Sequence, residues 1–285
     1  MNLDKEWLIG QARDKFTAGK IIEIISWREE MLTSNYFPQG EDSFKLYLGD
    51  LILCFTPFSA VASLEVYQEI FKNNNHRLHL SFSGNNDKVI FDIGANQGFY
   101  ALMLKMVNPS CHIYCFEPNP LEYNTLLLNI RLNGVSGIST IPKAVGNSNR
   151  IIDFEYLPNV GSISGLGVRM VQRQWLKEEF VSSLRVEQIT LDSFCKNVDL
   201  KQIDILKIDV EGSEVNVLAG AKNTIKKSSK VVIERHSMSL RKDIIQTMKK
   251  SGFELVHDED EHCLRYYGDL YFIERRNNEG FSQRT

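Results

Sequence analysis

Asp92-Ile93-Gly94-Ala95-Asn96-Gln97-Gly98 follows the apolar run VIFDI and opens a helical segment, the context that a nucleotide-binding turn requires. Gly94 permits the tight turn, and Gly98 lets helix and strand pack closely while a ligand approaches the loop backbone. The dinucleotide fingerprint G-x-G-x-x-G is absent; the spacing is D-x-G-x-N-x-G. An aspartate at the strand end suits a cationic ligand group and repels a pyrophosphate. The next apolar run ends in Phe116-Glu117-Pro118-Asn119. Glu117 lies 23 positions beyond Gly94 (117 − 94), close to the roughly 20 expected for an acid that holds a ribose hydroxyl pair. The two sites together point to adenosine.

A second set of polar residues falls in IDILKIDVEGSE and VVIERH. Ile205, Lys207 and Asp209 share one face of a strand. A lysine inside a sheet covered on both sides is costly unless paired, and Glu234 or Asp92 on the flanking strands are the partners expected for Lys207. Ser213 is placed to cap the following helix and Gly220 to end it. Asp209 and Glu211 fall where the strand turns outward, and Glu234 and His236 end the next strand. These four are the catalytic candidates. His236 titrates near neutral pH and suits a general base. A divalent metal held by Asp209, Glu211 and Glu234 would instead acidify a hydroxyl. The sequence leaves base and metal both open and assigns no metal ligands outright. Gly161-Ser162-Ile163-Ser164-Gly165 reads as an acceptor-lining stretch or as a plain loop.

The elements that must carry these residues alternate. VIFDIG, a helix over 99–107, HIYCFEP, a helix from Asn119 to about Leu132, ISTIPKAV, then strand-like IIDFEY and QITLDSF lead to IDILKIDV. A short helix after Ser213, VVIERH, a helix from Leu240 to Lys250, FELVHD and LYFIER complete the chain. Such alternation predicts a mostly parallel sheet with helices on both faces. Upstream, residues 4–33 read as helical, with Gly19 breaking them into two helices, and Lys45–Phe55 reads as a hairpin turning at Gly49-Asp50. The expected organisation is an N-terminal extension over 1–84, a main domain over 85–278 and a tail over 279–285. The net charge of −3 offers no field for nucleic acid. Five cysteines without a C-x-x-C pair argue against a disulfide framework or a zinc site. The acidic N-terminus does not read as a signal peptide, and Leu51–Leu64 is too short to span a bilayer, so the cytoplasm is the expected compartment.

VIFDIGANQGFYAL, CFEPNPLEYNTLLLNIRLNG, ITLDSF and ILKIDVEGSEVNVLAGA, in this order from about Lys88 to His236, resemble the FkbM-type methyltransferases. The resemblance implies a class I, Rossmann-like methyltransferase fold with S-adenosylmethionine as methyl donor. It implies O-methylation of a sugar, a polyketide or a related small metabolite. It places the donor at Asp92, Gly94, Ala95, Asn96, Gly98, Glu117, Pro118 and Asn119, with Lys143-Ala144-Val145 bordering the adenine. The expected partner is a small-molecule or saccharide acceptor, with no nucleic acid and no membrane span. Residues 1–84 are the least family-like part and fall to acceptor selection, a lid or homo-oligomeric association. An NAD-dependent oxidoreductase is disfavoured by the missing fingerprint, and a non-catalytic S-adenosylmethionine-binding module by the intact acids.

Overall fold

The computed structural model describes residues 3–34, 43–57, 59–72, 87–156, 182–259 and 268–275. The Gly161–Gly165 stretch, the boundary near Gly84 and the 279–285 tail lie outside the described residues.

The main sheet grows from strands whose residues are buried on both sides, as near-continuous apolar runs demand. Five strands run parallel: β3 (Val89–Ile93), β4 (His112–Phe116), β5 (Ile138–Ile141), β9 (Ile203–Ile208) and β10 (Ser228–Arg235). β11 (Phe253–Asp258) and β12 (Gly268–Glu274) close one edge antiparallel, giving the order β11-β12-β10-β9-β3-β4-β5. The expected parallel sheet is present. Its faces are sorted residue by residue. Ile90, Ile113 and Ile205 pack with α4 (Phe99–Val107) and α5 (Pro120–Leu132), while Phe91, Leu206 and Ile233 pack on the opposite side. That second layer comprises α6 (Leu191–Asn197), α7 (Glu214–Ala219), α8 (Lys222–Ile225) and α9 (Met238–Lys250). The chain leaves β3 towards β4 and β5, then returns to place β9 on the other side of β3. Strand order therefore reverses between β3 and β9, and a crevice for ligands opens at such a point, beyond the carboxyl ends.

The middle section departs from expectation. Pro142 interrupts ISTIPKAV, since it has no N–H for a ladder. β6 (Ala144–Val145) then leaves the main sheet and pairs with β8 (Ser182–Ile189), which also pairs with β7 (Arg150–Tyr156) in a separate three-stranded sheet. QITLDSF is strand only to Ile189; Thr190 accepts a hydrogen bond from Ser193 N and turns the rest into α6.

In the extension, the two helices are α1 (Lys5–Gln11) and α2 (Lys15–Ser34). The break falls at 12–14 rather than at Gly19, because Asp14 accepts from Thr17 N at 2.6 Å and starts the second helix, which then runs through Gly19. The hairpin forms as expected, with β1 (Phe44–Leu48) joined to β2 (Leu51–Phe55) across Gly49-Asp50. α3 (Ala60–Phe71) completes this layer, and its apolar core merges into the main domain at Phe99 and Leu102 of α4. β2 is also held by α5. Asn129 Oδ1 accepts from Cys54 N at 2.7 Å, and Asn133 accepts from Ile52 N at 2.9 Å and donates to Ile52 O at 2.8 Å.

Candidate active site at the strand ends

The loop after β3 is fixed by its own backbone. Gly94 N and Ala95 N both donate to Phe116 O at 2.9 Å, tying the loop to the end of β4. Gly94 has φ +85°, and a Cβ there would stand 1.7 Å from the carbonyl oxygen of Asp209. Only glycine allows β3 and β9 to converge this closely. Asn96, also left-handed at φ +49°, is a residue type that tolerates that region. Glu117 is buried, and its carboxylate accepts from Asn96 N at 2.9 Å and from Asn119 N at 2.8 Å. Burial still pushes its carboxyl up to about 8, with Glu122 adding to the rise against those two amides. Asn119 in turn caps α5 by accepting from Leu121 N, and Pro118 between them is half-buried. Glu117 N donates to Ile141 O at 3.1 Å, and the chain passes from there directly to the buried Ala144 and Val145.

Asp92 was expected to face a cationic ligand group. Its side chain is fully buried and stands beside Lys207 in register, 3.7 Å from Nζ. Lys207 Nζ lies nearer to Asp209 Oδ2, at 3.0 Å, and 5.2 Å from the Tyr100 ring centroid. Burial opposes the lysine's charge, but Asp209, Asp92 and Glu234 outweigh it and hold the ammonium well above its usual range. Asp209, absent from the partners expected for Lys207, is thus its nearest one. The reason is local: the strand ends at Ile208, so the Asp209 side chain is free to fold back.

His236 gathers the rest. Its Nδ1 lies 2.9 Å from Glu214 Oε1, and its Nε2 lies 3.4 Å from Glu211 Oε2, 3.8 Å from Asp209 Oδ1 and 3.9 Å from Glu234 Oε1. Burial alone would lower the imidazole's pKa, but Glu211, Glu214, Glu234 and Asp209 raise it well above the ordinary value. Burial drives Glu234 far up, with Asp209, Asp269 and Glu69 of α3 adding to the shift. Burial likewise lifts Glu211 to about 7. Asp209 is depressed, because Lys207 and His236 overcome its burial.

All four catalytic candidates therefore meet at the ends of β9 and β10. Glu214 joins them unannounced. It is fully buried, accepts from Gly212 N at 2.9 Å, and positions His236. An acid in a first helical turn already has an ordinary explanation in the helix dipole, so its spacing did not mark it. Ser213, expected to cap α7, makes no side-chain cap bond, and the Glu214 bond to Gly212 N stands at that turn. The metal alternative that the sequence left open named Asp209, Glu211 and Glu234, and the group that comes together differs from it. Asp209, Glu234 and His236 each bring one ligand atom within 4.8 Å of the others, and Glu211 falls outside this group.

The family model described as the methyltransferase FkbM domain matches residues 92–255, more than half of the chain, from the end of β3 into β11. Methyltransferase sdnD of Sordaria araneosa is 28% identical over 233 residues, covering 73% of this chain and 89% of the relative. 2-O-methyltransferase NoeI of Sinorhizobium fredii is 29% identical over 174 residues, covering 58% and 70%. Hexuronic acid methyltransferase AglP of Haloferax volcanii is 26% identical over 180 residues, covering 61% and 69%. Among the described residues no helix is long and apolar enough to cross a membrane. The chain belongs to the FkbM-domain methyltransferase family, and it is a class I, Rossmann-like methyltransferase that takes its methyl group from S-adenosylmethionine.

Proposed function

We propose that this chain methylates a hydroxyl oxygen of a saccharide, polyketide or related small molecule, on a site built from the residues above. The observation that carries the reading is convergence: the loop held by Glu117 and the cluster around His236 open at the same ends of adjoining strands. The relatives' printed names, a 2-O-methyltransferase and a hexuronic acid methyltransferase among them, support an oxygen on a sugar-like acceptor.

The residues present fit the donor. A carboxylate has about four acceptor positions. Loop amides take one on each oxygen of Glu117, leaving room for two ribose hydroxyls. In this reading Gly94, Ala95, Asn96 and Gly98 offer loop backbone to the methionine part. Asp92 contributes charge from behind the loop. Pro118, Asn119, Ala144 and Val145 border the nucleoside. The sulfonium supplies an already activated methyl group. The chain's own task is to hold the acceptor oxygen in line with it and to exclude water. Of the cluster formed by Asp209, Glu211, Glu234 and His236, the Glu211 carboxyl, lifted to about 7, receives the single hydroxyl proton as the oxygen–carbon bond forms, while Asp209, Glu234 and His236 hold the acceptor oxygen in place. The electron pair of the broken carbon–sulfur bond stays on sulfur.

Incubation with isotopically labelled S-adenosylmethionine and a panel of hydroxylated acceptors, read by mass spectrometry, tests this proposal; label found only on nitrogen would overturn it. Glu117→Ala is expected to weaken S-adenosylmethionine binding about ten- to a hundred-fold, since charge-assisted hydrogen bonds are worth about 1.5–3 kcal/mol. Calorimetry on the folded variant checks it, and unchanged affinity would remove Glu117 from the site.

Residues 1–84 are proposed to border the acceptor and to favour self-association. Glu69 of α3 raises Glu234, which supports a place for the extension at the rim. Phe16, 56% exposed, leaves apolar surface for a second copy. A chain lacking residues 1–36 is expected to keep donor binding and lose acceptor turnover; unaltered turnover would overturn the assignment. The cytoplasm is the compartment proposed, in keeping with free buried thiols at Cys54, Cys111, Cys115 and Cys195.

A further inference from the structure

We propose that Asp209, Glu234 and His236 bind one divalent cation at the mouth of the strand ends. The binding stands on geometry alone; only its role in catalysis rests on the methyl-transfer reading above.

Three ligand atoms, one from each residue, lie within 4.8 Å of one another. Ligands about 2.1–2.4 Å from a six-coordinate ion span such separations. They come from two adjacent strand ends, which fixes them against one another. A set of acids alone would say little. The orientation of His236 is the second observation. Its Nδ1 is hydrogen-bonded at 2.9 Å to Glu214, a carboxylate with no exposed surface that is itself held by Gly212 N. A carboxylate behind one ring nitrogen is the support that metal-binding histidines use to fix the tautomer and aim the other nitrogen outward. Here that other nitrogen, Nε2, faces Asp209 Oδ1 at 3.8 Å and Glu234 Oε1 at 3.9 Å. Both distances are too long for a hydrogen bond and wide enough for an ion between them.

Asp209 divides its two oxygens between neighbours. Lys207 takes Oδ2 at 3.0 Å, which leaves Oδ1 turned towards the histidine. Asp209, Glu211, Glu214 and Glu234 thus stand around one imidazole, with Lys207 engaged on the far side. A bound cation is often the largest charge in such a site and offsets repulsion among its acids. Two carboxylates and one imidazole suit manganese or magnesium, leaving further positions for water and for an acceptor oxygen. A hydroxyl bound there would lose its proton more easily. In the transfer the O–H bond breaks, with its proton passing to Glu211. The oxygen–carbon bond forms as the carbon–sulfur bond breaks, and the released electron pair makes sulfur a neutral thioether.

Manganese titrated into the full-length chain, first stripped with a chelator, tests the site through the electron paramagnetic resonance signal of free Mn2+. The expected result is saturable binding of one ion per chain. Glu234→Gln and His236→Gln should each weaken it about tenfold or more, while Glu187→Gln on the small sheet leaves it within about twofold. Circular dichroism reports folding of each variant; should His236→Gln unfold, the isosteric Glu234→Gln decides. A folded chain without saturable binding at millimolar Mn2+, or binding unaltered by these substitutions, overturns the site. Calorimetry with S-adenosylmethionine on the same samples separates the two proposals. Donor binding without Mn2+ binding overturns the metal site and leaves the methyltransferase reading standing. Mn2+ binding with methyl transfer insensitive to chelator supports the site and overturns its catalytic role.

Discussion

Gly94→Ala is expected to abolish S-adenosylmethionine binding and to lower the melting temperature by about 10 °C or more. Two costs add. The left-handed backbone at φ +85° charges a non-glycine residue about 1–2 kcal/mol. The larger cost is steric, because the new Cβ would stand 1.7 Å from Asp209 O and 2.9 Å from Asp209 C. Those are backbone atoms, so no side chain can rotate out of the way. Relief requires β3 and β9 to part at their ends, which strains the 2.9 Å bond from Asp209 N to Ile93 O. It also shifts the amides of Gly94 and Ala95 that hold the loop to Phe116. A total near 4 kcal/mol is in the range of severe single substitutions, and each kcal/mol is worth about 2–4 °C at this size. Scanning calorimetry of the variant, with and without S-adenosylhomocysteine, measures both effects. A native melting temperature with native cofactor stabilisation would show that the loop does not depend on this close approach.

His236→Ala is expected to reduce kcat/KM by about 10²–10⁴ while S-adenosylmethionine affinity stays within about threefold. The imidazole lies between Glu214 on one side and three carboxylates on the other. Its removal leaves Asp209, Glu211 and Glu234 facing each other with nothing between, so a proton or ion held there is no longer positioned against the acceptor. The donor-binding candidates Gly94, Asn96 and Glu117 belong to other elements and keep their own hydrogen bonds. Steady-state formation of S-adenosylhomocysteine with an acceptor found by labelling gives the first quantity, and calorimetry gives the second. Turnover within a few-fold of the parent would take the chemistry away from His236.

What could be read in the sequence was what is decided locally. The turn after β3 demands glycine at Gly94 whatever surrounds it, and the apolar runs of β3, β4, β9 and β10 demand burial on both faces. Asp92, Glu117, Asp209, Glu234 and His236 then follow, because strand ends gather in parallel sheets. What was not legible depends on partners far along the chain. Gly19 looked like a helix break, yet Asp14 supplied a stronger start signal three residues ahead of Thr17. ISTIPKAV carried no sign that its second half pairs with residues 188 and 189 in another sheet. Glu214 looked like an ordinary first-turn acid until β10 brought His236 against it. Asp269, directly across the ladder from Glu234, entered the acid group only through the antiparallel pairing of β12.

The joint between the extension and the main domain has its own implication. Asn129 in the last turn of α5 and Asn133 at its C-cap grip the peptide groups of Ile52 and Cys54 rather than their side chains. A clasp of that kind is blind to sequence on the strand it holds. On their faces turned away from Phe99 and Leu102, the hairpin and the helix behind it can drift in composition, as long as the strand keeps its register, without loosening this clasp. On the proposal that the extension borders the acceptor, a lineage exchanges that wall, and with it the molecules it modifies, while inheriting the reaction unchanged.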